Sequence, residues 1–203
     1  QLGLDITIIG RTWDEWLNFT GAISDYLQAN SGPQGDWYLC MYVHNLAHEF
    51  QYLSGVLDFG PGDVFASKPR RVLKCDNRAI EYRCSMRHSN LSLDAWGKQL
   101  GAPHAKLTGA LDYSKVRYPW TSLTSTELAY CINDVRCIVE CLLIEMNRDG
   151  DDLYTLPLTR TGYVRRMARE AMYKWGIKRV KRLLPSWDLY QMLREAFRGG
   201  DTH

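Results

Sequence analysis

Several features that would assign this sequence to a familiar class are missing. No run of residues approaches the ~18 consecutive apolar side chains that a membrane-spanning helix needs. Six cysteines are present, but no two have the CxxC spacing of a zinc ribbon, and we expect free thiols. There is neither a low-complexity tract nor an internal repeat. The 203 residues carry a formal net charge of +2 and are 45% hydrophobic, which excludes a disordered chain and indicates a globular core.

Common catalytic motifs are absent as well. The sequence contains no GxxxxGK[ST] and no GxSxG, which argues against a P-loop enzyme and an α/β-hydrolase. His48 and Glu49 begin an HExxH pattern, but Tyr52 stands where the second histidine is required, so a zinc protease is rejected. His88 and His104 fall in predicted loops, and we expect both on the surface.

The charges are distributed unevenly along the chain. Between Arg160 and His203 there are eleven lysines and arginines against four acidic residues, so this segment carries +7 and the remainder about −5. A basic segment beside an acidic body suits a nuclease whose basic part contacts phosphates. A solvated cationic helix is an equally good interpretation of the charge alone.

Hydrophobic periodicity and turn residues predict strands mixed with helices. Such a mixture indicates an α/β domain over residues 1–150, followed by a separate basic helical part over residues 151–203. In chain order the predicted elements are a strand over 4–9, a helix over 12–29, a buried strand over 37–43, a helix over 45–57, a hairpin of 72–75 and 79–85 that turns at Asp76 and Asn77, and helices over 92–100, 124–148, 162–184 and 187–197.

The long helix over 124–148 has two faces of different character. One apolar face has helical spacing and is predicted to lie in the core. The nearly opposite face mixes polar and small apolar side chains and is predicted to line a cleft. The core face comprises Leu128, Ile132, Val135, Val139, Leu142 and Met146, and the cleft face comprises Tyr130, Asp134, Cys137 and Cys141.

Two acids and one phenol are placed where chemistry can occur. Glu49 lies in the first turn after the buried strand, over the carboxyl ends of the strands, where open α/β sheets hold their sites. Tyr130 and Asp134 are one helical turn apart on the cleft face. Carboxylates that converge on a cleft suit Mg²⁺ and two-metal phosphodiester cleavage, in which a tyrosine orients the attacking water. The alternative is that Glu49 merely complements a helix dipole and that Asp134 is a surface acid.

Four short motifs resemble those of one enzyme family. HNLAHEF over 44–50 resembles the second exonuclease motif of family B DNA polymerases, and YCIND over 130–134 resembles their third, Tyr-x-x-x-Asp. Between them, KLTG over 106–109 and LDYSK over 111–115 resemble the lysine- and tyrosine-bearing stretch of the protein-primed phage branch. AFRGG over 196–200 resembles that branch's aromatic-x-Gly-Gly motif, which joins the exonuclease domain to the polymerase palm.

The resemblance implies a ribonuclease H-like 3′–5′ exonuclease domain, a mixed sheet flanked by helices, over residues 1–150, with a basic helical link towards a polymerase palm over 151–203. It implies that Glu49 and Asp134 are ligands of Mg²⁺, or of Mn²⁺, and that Tyr130 positions the attacking water. It also implies contacts with DNA, and these residues are Asn45, His48, Ser85, Met86, Lys106, Tyr113, Phe197, Arg198, Gly199 and Gly200.

The sequence departs from the family at three places. The first exonuclease motif, Asp-x-Glu, has no counterpart, because Asp5 lacks the partner glutamate. We therefore expect the chain to be an excerpt that begins after this motif, lacks two metal ligands and is weakly active or inactive alone. Glu49 stands where the family usually has aspartate, and Phe197 where it usually has tyrosine.

The motifs thus predict a fragment of a protein-primed family B DNA-directed DNA polymerase that replicates and proofreads viral or mobile-element DNA. Its implied partners are primer-template DNA, a single-stranded 3′ end and a terminal protein primer, while deoxynucleotides would bind a palm outside these residues. We expect it to act in the cytoplasm of a bacterial host without contacting a membrane. The alternatives are a non-catalytic single-stranded-DNA-binding module with a vestigial exonuclease site and a stand-alone ribonuclease H-like nuclease.

Overall fold

The computed structural model describes residues 6–33, 35–104, 107, 111–176 and 184–196. The chain divides into two compact units, residues 1–160 and residues 161–203. Within the described ranges, no helix combines the length and the apolar character needed to span a membrane.

A four-stranded mixed sheet organises the first unit. Its strands are β1 (Leu39–Val43), β2 (Val64–Ala66), β3 (Val72–Asn77) and β4 (Ile80–Cys84). They are arranged in the order β1-β4-β3-β2, with β1 parallel to β4 and the other pairs antiparallel. The predicted α/β class with a mixed sheet is therefore confirmed.

Seven helices are described, five of them in the first unit. These five are α1 (Trp13–Asn30), α2 (Leu46–Leu53), α3 (Ser85–Ser89), α4 (Leu93–Leu100) and α5 (Ser125–Asp149). The other two are α6 (Arg160–Trp175), which begins at the boundary between the units, and α7 (Trp187–Ala196). The short elements β2 and α3 were not predicted.

The core lies between the sheet and α2. Leu46 and Leu53 of α2 pack on Val72 and Cys75 of β3 and on Tyr82 of β4, and all five are buried. All six cysteines are free thiols. Burial raises the pKa of the Cys75 thiol to about 12, so this group stays protonated and apolar in the core.

Local signals in the sequence place most helix ends correctly. Thr12 and Thr124 each begin a helix with the predicted capping box, in which a glutamate three residues later binds the cap backbone. Gly101 and Gly150 follow α4 and α5 with φ angles of 67° and 69°, a conformation that glycine adopts at little cost.

Two predicted strand features are wrong. Residues 6–9 form no strand, and Ile6 and Ile8 are 70% and 62% exposed, because no strand in the described ranges pairs with this segment. The hairpin turns at Arg78 and Ala79 and not at the preceding Asp-Asn pair. Asn77 pairs with Ile80, which leaves a two-residue turn, and Arg78 takes the positive φ of 54° that such turns use.

Two predicted helices are shorter in the structure. The helix predicted over 45–57 is α2 and ends at Leu53. The helix predicted over 162–184 is α6 and ends at Trp175, and residues 177–183 lie outside the described ranges.

The buried face of α5 agrees with the predicted one only in part, since Leu142 is buried as predicted. Val135 and Val139, predicted in the core, are 54% and 49% exposed, whereas Cys137 and Cys141 are fully buried. The cause is α4, which packs on this side of α5. A Cβ built on Gly97 would lie 3.0 Å from the sulfur of Cys137, so the two helices approach closely at this point.

This contact generates a stability prediction. We expect Gly97→Ala to lower the free energy of unfolding by about 1 kcal/mol, because overpacking costs roughly 1–3 kcal/mol and the better helix propensity of alanine returns about 1. Urea denaturation measures the change. In a Cys137→Ala background, where the sulfur is gone, Gly97→Ala should cost nothing. An equal loss in both backgrounds would contradict the close approach at Cys137.

Candidate functional site

The carboxyl ends of β1 and β4 open at the same edge of the sheet. The two strands are parallel, and Val43 pairs with Cys84 at the last position of the register. The chain then passes from β1 to Asn45 and from β4 to Ser85, so these two predicted DNA-binding residues follow neighbouring strand ends. Ligand sites of open α/β sheets lie at such edges.

Asn45 and His44 connect β1 to this edge. Asn45 has φ 67° and ψ 50°, a left-handed conformation that asparagine tolerates better than most residues, and it is the N-cap of α2. The ring Nδ1 of His44 forms a 3.0 Å hydrogen bond with the Ser85 hydroxyl, and its ring stacks on Trp96. Ser85 is fully buried, so its hydroxyl is turned towards His44 and away from solvent. The next residue, Met86, is half-buried.

His48 and Glu49 lie in the first turn of α2. Both side chains are exposed, because the opposite side of the helix is the one that packs on the sheet. The His48 ring contacts the ring of Tyr52 edge-on, with centroids 5.5 Å apart. Glu49 is therefore accessible to a ligand from solvent. Its exposure agrees with a metal ligand and equally with a charge that only complements the helix dipole.

Tyr130, Asp134 and Tyr113 are brought together. The hydroxyl oxygens of Tyr113 and Tyr130 are 3.1 Å apart, although the two residues come from a loop and from α5. The hydrogen bond with Tyr113, burial, and the charge and hydrogen bond of Asp134 all raise the pKa of Tyr130. Its phenol consequently stays protonated at neutral pH. Tyr130 is 9% exposed, whereas Tyr113 is 79% exposed and presents its ring to solvent.

An ion pair holds the loop over 111–121 that carries Tyr113. The guanidinium Nη2 of Arg117 lies 2.6 Å from Oε1 of Glu127, and Arg117 also donates to two carbonyl oxygens of its own loop. Glu127 is buried and accepts a second hydrogen bond, from the backbone N–H of Thr124. The bond from Thr124 and the charge of Arg117 lower the pKa of Glu127 to about 2. The sequence signals only the capping role of Glu127, and nothing in its pattern singles out Arg117.

The described residues do not complete a metal site by themselves. Carboxylates are the donors that Mg²⁺ prefers, and Glu49 and Asp134 supply two of them. Within the described ranges, however, no group of three histidine, cysteine, aspartate or glutamate side chains lies close enough to hold an ion. The donor chemistry fits magnesium, while the number of donors does not.

His88 is buried, which contradicts its predicted place on the surface. It belongs to α3, which follows β4 directly and directs the ring inward, where it is 1% exposed. Its Nε2 lies 2.5 Å from a carboxylate oxygen of Glu145, and its Nδ1 lies 2.6 Å from the carbonyl oxygen of Pro157. The carbonyl oxygen of Pro157 can only accept, so Nδ1 is the donor in that hydrogen bond. Burial raises the pKa of Glu145, but the hydrogen bond and charge of His88 outweigh it, and the net pKa is lowered.

Of the remaining predicted residues, the structure describes His104 and leaves five others outside the described ranges. His104 is partly exposed and its Nδ1 lies 2.5 Å from Glu140 on α5. Five residues predicted to contact DNA lie outside the described ranges: Lys106, Phe197, Arg198, Gly199 and Gly200.

Comparison with known proteins adds a fold neighbour. No protein-family model matches the chain, and no curated protein matches it. Among solved structures, phi29 DNA polymerase complexed with primer-template DNA and incoming nucleotide substrates matches 72% of the chain with a TM-score of 0.54 and 19% sequence identity. The chain shares the fold of part of this polymerase.

The predicted resemblance to protein-primed family B DNA polymerases is thereby confirmed at the level of the fold. A second structure, phi29 DNA polymerase complexed with single-stranded DNA, covers 70% of the chain with a TM-score of 0.48 and 17% identity. The matched region is 26% of the polymerase chain in both structures, so the present chain spans about a quarter of that protein.

The buried pair of His88 and Glu145 leads to a stability prediction. Replacing His88 by leucine leaves the Glu145 carboxylate buried without its closest partner, and we expect a loss of about 3 kcal/mol in the free energy of unfolding, the lower end for a broken buried pair. Arg148 and Arg160, each 3.7 Å from the carboxylate, limit the cost. Urea denaturation of His88→Leu tests the value. The double variant His88→Leu/Glu145→Leu should recover most of the loss, and a double variant less stable than the single one would contradict direct coupling of the two side chains.

The ion pair of Arg117 and Glu127 leads to a prediction about pH. The pKa of Glu127 is about 2 in the folded chain against an ordinary value of 4.5. A lowered pKa means that the stabilisation is fully present above pH 4.5 and is lost as the pH falls towards 2. Between pH 6 and pH 2 we expect the stability of Glu127→Gln to fall less than that of the wild type. Urea midpoints measured over this interval give both falls. Glu49→Gln, which changes an exposed glutamate, is the control and should follow the wild type. An unchanged acid decrease in Glu127→Gln would contradict the assignment.

Proposed function

We propose that the chain is the 3′–5′ exonuclease part of a protein-primed family B DNA polymerase and removes mismatched nucleotides from a primer end. The observation that carries the proposal is the contact of Tyr113, Tyr130 and Asp134 within a fold shared with a DNA polymerase. Tyr130 of the predicted third exonuclease motif and Tyr113, the predicted strand-binding tyrosine, come from separate segments. Their hydroxyl groups form a hydrogen bond.

Tyr130 has the properties of a group that orients a water molecule. Its phenol is protonated, so it can donate a hydrogen bond to a water oxygen, and Asp134 lies within reach of the same phenol. Holding the attacking water in line with the phosphorus atom converts a chance encounter into an oriented one, which is a large share of hydrolytic catalysis. Tyr113 restrains the phenol from the other side.

Glu49 and Asp134 are the residues proposed to bind Mg²⁺, with Mn²⁺ as a substitute. When bound, the ions would neutralise phosphate charge and favour ionisation of water, as in two-metal phosphodiester hydrolysis. Because the described residues offer too few donors, the proposal requires further carboxylates in the complete protein. Glu49 is exposed, whereas Asp134 is partly buried and its Oδ1 is fully buried, so Asp134 would offer an ion its other oxygen.

The single strand is proposed to contact Asn45 and Met86, which follow the ends of β1 and β4, and the exposed ring of Tyr113. An aromatic ring that is 79% exposed can stack on a base of any identity, which suits an enzyme that must accept every sequence. Asn45 and His48 are exposed at the same edge and can contact the backbone of the strand. Ser85 would act through His44, to which its buried hydroxyl is bonded.

The wider assignments extend the same proposal to the complete protein. We propose a ribonuclease H-like arrangement for the exonuclease domain and a link to a polymerase palm through the basic segment after residue 150. The complete protein would bind primer-template DNA and deoxynucleotides, use a terminal protein as primer and act in the cytoplasm of a bacterial host.

Trimming of a 5′-labelled single strand in Mg²⁺ by the complete protein tests the proposal. We expect Asp134→Asn to abolish shortening of the 3′ end without loss of strand binding, because it removes a charge and keeps the shape. Tyr130→Phe should slow trimming by about 10²-fold through misplaced water. Val135→Ala, next to Asp134 on an exposed position of α5, is the matched control and should trim normally.

The same experiment separates the proposal from a non-catalytic single-strand-binding module. The observation that favours that module is the shortage of metal donors among the residues that the structure describes. If the wild-type protein binds the strand and never shortens it, the exonuclease assignment is wrong and the binding module is correct. If Asp134→Asn still trims the strand, the reaction takes place at another site.

A further inference from the structure

A cavity of about 450 Å³ lies at the edge of the sheet opposite the candidate site. The parallel pair of β1 and β4 ends with Val43 and Cys84 at the candidate site and begins with Leu39 and Ile80 at the other edge. Ile80 lines the cavity, together with residues just before β1 and residues of the hairpin turn. This volume is that of a small-molecule pocket, and none of the residues assigned to the exonuclease lines it.

Hydrogen bonds hold the walls of the cavity in place. Arg78, in the turn of the hairpin, donates from Nη2 to Asp25 and Gln28 of α1, so the turn is fixed to the end of this helix. The hydroxyl of Ser31 donates to a carbonyl oxygen of α1 and accepts a hydrogen bond of 2.8 Å from the backbone N–H of Trp37. The ring of Trp37 therefore follows a restrained backbone, and it is 54% exposed.

The charges in the lining favour a cationic ligand. Nζ of Lys74 lies 2.9 Å from Asp76 and 2.8 Å from Glu81, and Arg78 is paired with an acid of α1. Asp36 also lines the cavity and is exposed. In the part of the chain that the structure describes, neither a hydrogen bond nor an ion pair engages its carboxylate. An anion would meet three carboxylates and two cations that are already paired, so a positively charged guest is preferred.

The spacing of the carboxylates indicates which kind of cation fits. Within the described ranges, no three acidic, histidine or cysteine side chains lie close enough to hold a metal ion, so an organic cation is favoured. A guanidinium group is planar and weakly hydrated, donates two parallel hydrogen bonds to a carboxylate and stacks on aromatic rings, best on tryptophan. Asp36 and Trp37 are adjacent in the chain and offer one contact of each kind.

We propose that this cavity binds a guanidinium group, and we call it the Trp37 pocket after the residue on which the group stacks. The guanidinium donates to the carboxylates of Asp36 and Asp76, which also line the pocket. An arginine side chain of a partner polypeptide and a small guanidine compound both carry this group. The Trp37 pocket is independent of the proposed function.

Titration of the full chain with acetyl-arginine amide tests the Trp37 pocket. In a nitrogen-correlated NMR spectrum each of the seven tryptophans gives one indole N–H signal, and the signal missing from Trp37→Phe belongs to Trp37. We expect this signal to shift until it saturates. Acetyl-citrulline amide has nearly the same shape without the charge, and it should bind about tenfold more weakly or not at all, because an ionised donor strengthens the hydrogen bonds.

A short peptide with one central arginine identifies the source of the group. Tighter binding of the peptide than of acetyl-arginine amide supports a partner polypeptide, and equal binding supports a small guanidine compound. A Trp37 signal that stays in place with both probes would overturn the proposal, as would citrulline binding as tight as that of the arginine amide.

A matched pair of variants separates the Trp37 pocket from a general effect of charge. Asp36→Asn keeps the shape and removes the charge, and we expect it to raise the dissociation constant of acetyl-arginine amide about tenfold. Asp14→Asn makes the same change at an exposed position of α1 and should bind like the wild type. Equal weakening in both variants would show unspecific attraction and overturn the site. Urea midpoints equal to that of the wild type confirm that both variants are folded.

Discussion

The candidate site depends on two interactions of the Glu127 carboxylate. It accepts a hydrogen bond from the Thr124 backbone and so fixes the first turn of α5, and it pairs with Arg117 and so fixes the loop over 111–121. Tyr130 is three residues further along the same helix, and Tyr113 is in the same loop. Their hydroxyl groups meet at 3.1 Å because one acid holds both segments. A carboxylate buried with two strong donors remains ionised well below neutral pH, so both contacts are present at neutral pH.

The parts of this fold that follow from nearby residues could be predicted from the sequence. The capping boxes at Thr12 and Thr124 and the glycine ends of α4 and α5 depend on side chains within one turn, and all are present. The pairing of Tyr130 with Asp134 is of the same kind, since helical spacing alone places them together. The approach of Tyr113 to Tyr130 could not be derived from spacing, because it depends on how a loop folds back onto α5.

The two misjudged burial patterns, on α5 and at His88, both depend on distant contacts. Both faces of α5 contain apolar side chains, so periodicity could not decide between Val135 and Cys137, and the glycine of α4 that approaches the sulfur decides it. His88 was expected on the surface because α3 is too short to show a helical pattern. It is buried because Glu145, 57 residues further along the chain, supplies a partner in the interior. Burial of an ionisable residue requires such a partner, and a single sequence does not reveal it.

The distribution of charge separates two kinds of binding energy. Residues before Arg160 carry about −5 in total, so a polyanion gains little from them by simple attraction. What they offer is an exposed aromatic ring, and base stacking depends little on salt. The segment from Arg160 carries +7, and its contribution falls steeply as the salt concentration rises, because the counterions released on binding then gain less entropy. On the proposed function, affinity that weakens with salt would come from the basic segment, and affinity that depends little on salt from stacking of bases on Tyr113.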